Sequence, residues 1–173
     1  MNAIAPVEAA IGDAAWGQAI RSVNEWRGHA LHCFAQAEAA VSETLLVMAA
    51  VPERGARVKL RRLIGQRFED LNSAIEAQGP FGAEAGKAVQ ALFAFREQEA
   101  LRPILCHGTA KVALDRHGQW LIQIKVVSFR ARKADRTSLA LDEREAGARL
   151  AELKERTHHL VSALRLLRRR ISD

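Results

Sequence analysis

Arg96-Glu-Gln-Glu-Ala-Leu-Arg-Pro-Ile-Leu-Cys-His-Gly108 is the stretch on which the fold turns. Before it, apolar residues recur at helical spacing. After it, from Thr109, they alternate, so a helical body gives way to a hairpin here. Two polar side chains stand out, Arg102 and His107, separated by Pro103 and the apolar run Ile104, Leu105 and Cys106. A cation and an imidazole near a helix end suit a phosphate. They equally suit a plain helix terminus, where the negative carbonyl end favours a protonated histidine. Pro103 cannot donate to the Glu99 carbonyl, which predicts a bend. Gly108 predicts a C-terminal stop.

Upstream, the spacing predicts a third helix from Ala83 into this stretch, carrying Val89, Leu92, Phe93, Leu101, Ile104 and Leu105. Gly79-Pro80-Phe81-Gly82 breaks the chain before it. A second helix is expected over 56–77, with Val58, Leu60, Leu63, Ile64, Phe68, Leu71 and Ile75 on one stripe. Its first half is basic (Arg54, Arg57, Lys59, Arg61, Arg62, Arg67), which reads as a solvated face or as phosphate contacts. A long first helix is expected over 14–50 and ends at Pro52, while 1–13 read as a loose arm. Glu38 lies near the apolar stripe of that helix and needs a partner, either an arginine or the Arg102/His107 region. His29 and Cys33 have metal-ligand spacing on one helix face, but no further ligand cluster accompanies them, so no metal is expected.

Downstream, Ala110, Val112 and Leu114 alternate, as do Trp120, Ile122, Ile124 and Val126. With the turn signal Asp115-Arg-His-Gly118 they predict a β-hairpin over 109–130, followed by a basic loop from Phe129 to Arg136. Asp142 and Glu145 form a capping box that opens a last helix bearing Ala146, Leu150, Leu153, Thr157, Leu160, Val161, Leu164 and Leu167. The expected fold is mainly α: one domain over 1–173, four helices in a bundle, and the hairpin between the third and fourth.

The chain has 173 residues, enough for a real core, with 49% hydrophobic and 5% aromatic residues. Its net charge of +6 attracts nucleic acid, nucleotides or anionic lipid without choosing among them. Two distant cysteines, Cys33 and Cys106, make neither a disulfide framework nor a paired-thiol metal motif, and both are expected buried and reduced. The N-terminal residues lack a basic segment followed by an apolar run, and the apolar window 37–51 is short and interrupted by Glu38 and Glu43. A cytoplasmic protein with no membrane partner is therefore expected. No Gly-rich phosphate loop, serine-nucleophile motif or internal repeat is present.

Arg102-Pro-Ile-Leu-Cys-His107-Gly108 resembles the Arg-x4-6-His signature of HEPN domains, helical bundles that include RNA-cleaving toxins and antiviral effectors as well as noncatalytic members. The resemblance implies metal-independent RNA cleavage with no cofactor, in a toxin or defence setting. The 2′-hydroxyl would attack the adjacent phosphate, His107 would transfer a proton, and Arg102 would stabilise charge on the phosphate oxygens. It also implies a homodimer with two such motifs facing one cleft, and an antitoxin protein as a further partner. Glu38, Arg96 and Glu99 are candidate substrate-binding residues; a structural salt link from Glu38 to Arg96 or Arg102 is the competing reading. In catalytic members a polar residue commonly follows the arginine, whereas Pro103 stands here. The alternative is a noncatalytic HEPN-like dimer that binds nucleotide, RNA or a protein partner. A DNA-binding reading lacks a helix-turn-helix pattern. Five residues along an ideal helix span about 500°, so Arg102 and His107 sit about 140° apart unless the helix bends.

Overall fold

A computed structural model describes residues 5–130 and 133–172, with side chains at 12–128 and 134–172. The protein is mainly helical. Its described elements are five α-helices and a three-stranded antiparallel sheet. They run α1 (Ala5–Ala49), α2 (Ile64–Ile75), α3 (Gly86–Arg96), α4 (Leu101–His107), β1 (Thr109–Leu114), β2 (Trp120–Arg130), β3 (Lys133–Asp142) and α5 (Glu143–Ser172). None of these helices is long and apolar enough to cross a membrane.

α1 has 45 residues, so it extends about 68 Å at 1.5 Å per residue. Its helix already covers 5–13, where a loose arm is expected; 1–4 lie outside the described residues. The second helix begins later than its apolar pattern suggests. Gly55–Arg57 form one 3-10 turn, 58–63 are non-helical, and α2 starts at Ile64. The expected third helix is two, because the chain turns over 97–100 before α4 begins. The basic loop expected from Phe129 to Arg136 is the distal part of a hairpin, apart from 131 and 132, which lie outside the described residues. That hairpin adds β3 to the two strands expected.

The residues fall into two compact units, to each of which α1 and α5 contribute. One combines the chain up to Leu31 with Ala100–Ala151; the other combines His32–Glu99 with the residues from Glu152 onward. In the first, the sheet order is β1-β2-β3, with Val112 opposite Ile122 and Ile122 opposite Leu141. Even-numbered β2 residues (Trp120, Ile122, Ile124) are buried, while Leu121, Gln123, Lys125 and Val127 are exposed. The Trp26 indole N–H donates to the Ala146 carbonyl at 2.7 Å, and its ring lies 6.4 Å from that of Trp120. One α1 residue thus ties the sheet to the start of α5. That start is capped as expected: the Asp142 amide donates to Glu145 Oε2 at 3.0 Å and the Glu145 amide to Asp142 Oδ1 at 2.7 Å. The β1–β2 turn also follows its sequence. Asp115 Oδ1 accepts from the amides of His117 and Gln119, and Gly118 takes φ +78°, which glycine adopts freely.

In the second unit, Phe34, Phe68 and Phe95 form an aromatic cluster, with Phe95 stacked on Phe68 at 5.7 Å and edge-on to Phe34 at 5.9 Å. Leu45, Met48, Leu71, Ile75, Phe81, Leu92, Leu153 and Leu160 are buried in the same unit. The heptad-like stripe of α5 places Leu160, Leu164 and Leu167 inside, as its spacing predicts.

Candidate functional site

Two leucines four residues apart fix α4. Leu101 and Leu105 lie on one face and are buried, and the helix packs on β2. The other residues are less covered: Arg102 and Ile104 are half-buried, and Pro103, Cys106 and His107 are exposed. The exposed Cys106 departs from the buried thiol expected there. Cys33 is buried as expected, and burial pushes its thiol pKa upward.

Pro103 does not bend α4, because the helix begins only at Leu101. Proline therefore occupies the first turn, where its missing N–H has no intrahelical acceptor to lose. The helix remains regular through His107, and the Gly108 amide still donates to the Ile104 carbonyl at 2.9 Å. The bend expected to bring Arg102 and His107 together is absent, and their directions differ by about 140° around the axis. Gly108 is also required for a reason other than the one expected. Its φ of −76° is ordinary, but a Cβ there would collide with the Ile124 side chain and the Ile104 carbonyl. Glycine at this position lets the end of the helix run directly against the sheet.

Arg27 of α1 completes that end, and the sequence reading missed it. Its Nε–H donates to the Leu105 carbonyl at 2.6 Å, and Nη2 donates to the Gly108 carbonyl at 3.3 Å. A guanidinium on the last carbonyls satisfies acceptors the helix leaves open and complements the negative end of its dipole. The only local signal was an arginine beside the apolar stripe, one residue after Trp26 and four after Val23. Its acceptors lie 78 and 81 residues away, beyond the reach of any spacing rule.

The remaining candidates belong to the second unit. Arg96 pairs with Glu99 at 3.3 Å across the turn that follows α3, and both side chains are more than a third exposed. Glu38 is half-buried, and its backbone carbonyl accepts from the Ser42 hydroxyl. The structure therefore brings Arg96 to Glu99.

Much of the basic charge of residues 54–67 serves the fold. Arg61 Nε donates to Asp70 Oδ1 at 2.6 Å, and the Arg61 amide donates to the other oxygen at 3.1 Å. Asp70 is 2% exposed, so its carboxylate is buried with its partner in place. Arg67 donates to the Arg61 and Arg62 carbonyls and to the Ser42 hydroxyl. These bonds hold 58–63 in the non-helical path described above. Arg54 pairs with Glu84 at 2.5 Å and lies over the Phe81 ring, and this hydrogen bond lowers the Glu84 pKa.

His29 pairs with Glu25 at 3.5 Å. Among the described residues, no group of three or more His, Cys, Asp or Glu side chains is arranged to hold a metal ion. Comparison with protein-family models, curated proteins and solved structures returns no match to this chain.

Proposed function

We propose that this chain is a HEPN-like, metal-independent endoribonuclease whose active site is completed by two copies facing each other, in a toxin or defence setting. The regularity of α4 carries this reading. A helix unbroken from Leu101 to His107 directs Arg102 and His107 to different sides, so one phosphate reaches both groups when a second motif supplies the complement. The exposure of His107 in the last turn supports chemistry over a scaffolding role, because a proton-transfer group must meet its substrate.

In this mechanism the RNA 2′-hydroxyl attacks the adjacent phosphorus. His107 moves the proton, because a neutral imidazole accepts on one ring nitrogen and carries a proton on the other. Arg102 faces the equatorial phosphate oxygens with its fork of donors as their charge rises. The P–O5′ bond breaks, leaving a 2′,3′-cyclic phosphate and a 5′-hydroxyl. No cofactor enters the scheme.

The second reading is a noncatalytic HEPN-like dimer that binds nucleotide, RNA or a protein partner such as an antitoxin. Pro103 favours it, standing exposed where catalytic members commonly carry a polar side chain. Incubation with RNA in the presence of a chelator separates the two. The ribonuclease reading predicts fragments with cyclic phosphate ends from the wild type, and loss of cleavage in His107→Ala and in Arg102→Ala. A wild type that cleaves no better than these variants overturns it.

A further inference from the structure

The outward face of the sheet is open, and its charge has one sign over most of its area. Lys111 of β1, Lys125 of β2 and Arg136 of β3 all lie on it, with Thr109, Gln123 and Ser138 among them. All six are exposed. Leu121 and Val127 add apolar surface, being 41% and 54% exposed. Among the described residues, none of the three cations has an ion pair or a side-chain hydrogen bond. The acid on this face, Asp142, lies at its far end beside Leu121, where it caps α5. Asp135 pairs with Ser128, and that register position belongs to the opposite face.

The register orders the cations. Lys111 is opposite Gln123, two residues from Lys125; Lys125 is opposite Ser138, two residues from Arg136. Each step is therefore a diagonal neighbour, about 7–8 Å on an antiparallel sheet. Three positive charges cross three strands in one oblique row, at a spacing close to that of neighbouring phosphates on an extended single strand. Beside the row, a hollow of ≈ 450 Å³ is lined by Lys111, Gln123 and the small Ala113 and Ala140, and also by the carboxylates of the α5 cap, Asp142 and Glu145. Past Lys125 the ladder is two-stranded, and Val127 stands opposite Arg136 on this extension.

We propose that this face binds the backbone of single-stranded RNA, with Lys111, Lys125 and Arg136 each meeting a phosphate. Charge complementarity selects the occupant. A second copy docking through the same patch would set like charges against one another. Contacts from three cations to phosphates are electrostatic and carry no sequence information. The inference rests on the ribonuclease reading only for the choice of RNA as the polymer.

The test uses fluorescence anisotropy with the full chain and a short labelled mixed-sequence single-stranded RNA, over a series of salt concentrations. The triple variant Lys111→Gln, Lys125→Gln, Arg136→Gln should bind about tenfold or more weakly, and the slope of log affinity against log salt should flatten by about 2. A charge-preserving set, Lys111→Arg, Lys125→Arg and Arg136→Lys, should retain affinity and slope. Equal affinity and slope in wild type and triple variant overturn the proposal, as does a wild type that binds no RNA or prefers duplex DNA of the same sequence. A wild type that binds as described yet cleaves nothing leaves this proposal standing and removes the ribonuclease reading alone.

Discussion

The arginines of residues 54–67 and the cations of the sheet's open face carry the same charge, yet the structure uses them differently. Arg61, Arg67 and Arg54 meet a buried carboxylate, backbone carbonyls and a second carboxylate. Lys111, Lys125 and Arg136 meet solvent. In sequence the first group is the denser and looks the better candidate for phosphate. Density of charge along the chain is thus a poor guide to which cations the fold leaves facing solvent.

Mutations break this contrast in a definite order. Asp70→Ala has the largest expected effect: it leaves Arg61 and its amide without their buried acceptor and should cost about 3 kcal/mol in chemical denaturation, with RNA affinity unchanged. Arg67→Met removes three hydrogen bonds to partly covered acceptors and should cost about 1–2 kcal/mol in the same measurement. Glu84→Gln should cost about 1 kcal/mol at neutral pH. The Arg54 hydrogen bond holds the Glu84 carboxyl below its ordinary value, so its contribution is present in full above the usual carboxylate range. It is lost as pH falls through the lowered value, and stability curves of wild type and Glu84→Gln should converge in acid. Neutralising Lys111, Lys125 and Arg136 should change stability least, within about 0.5 kcal/mol each by thermal melting, because these side chains touch nothing that folding must satisfy.

The sequence made legible what rests on local periodicity. The stripe of α5, the Asp142/Glu145 cap, the Asp115–Gly118 turn and the alternation of β1 and β2 all appear as expected. β3 was missed because its distal half is polar on both faces, and only Leu139 and Leu141 carry the alternation. The break between α3 and α4 was missed because Glu97 to Ala100 are good helix formers. Pro103 signalled the right neighbourhood with the wrong geometry: a proline expected to kink a long helix instead marks the first turn of a short one. The late start of α2 depends on Arg61 reaching Asp70, and the anchoring of α4 on Arg27 reaching Leu105 and Gly108. Such tertiary bonds leave no periodic trace. Around Arg102 and His107, the sequence left a regular and a bent helix both open, and the helix is regular.

That separation makes a two-copy site the central claim, and mixing tests it directly. The Arg102→Ala and His107→Ala chains, each inactive alone, are co-expressed and assayed on RNA with a chelator present. Half of the resulting dimers would be mixed, each with one intact pairing of Arg102 and His107, so cleavage should return to on the order of a quarter of the wild-type rate. Failure of the mixture to cleave, while wild type made in parallel does, would contradict the account.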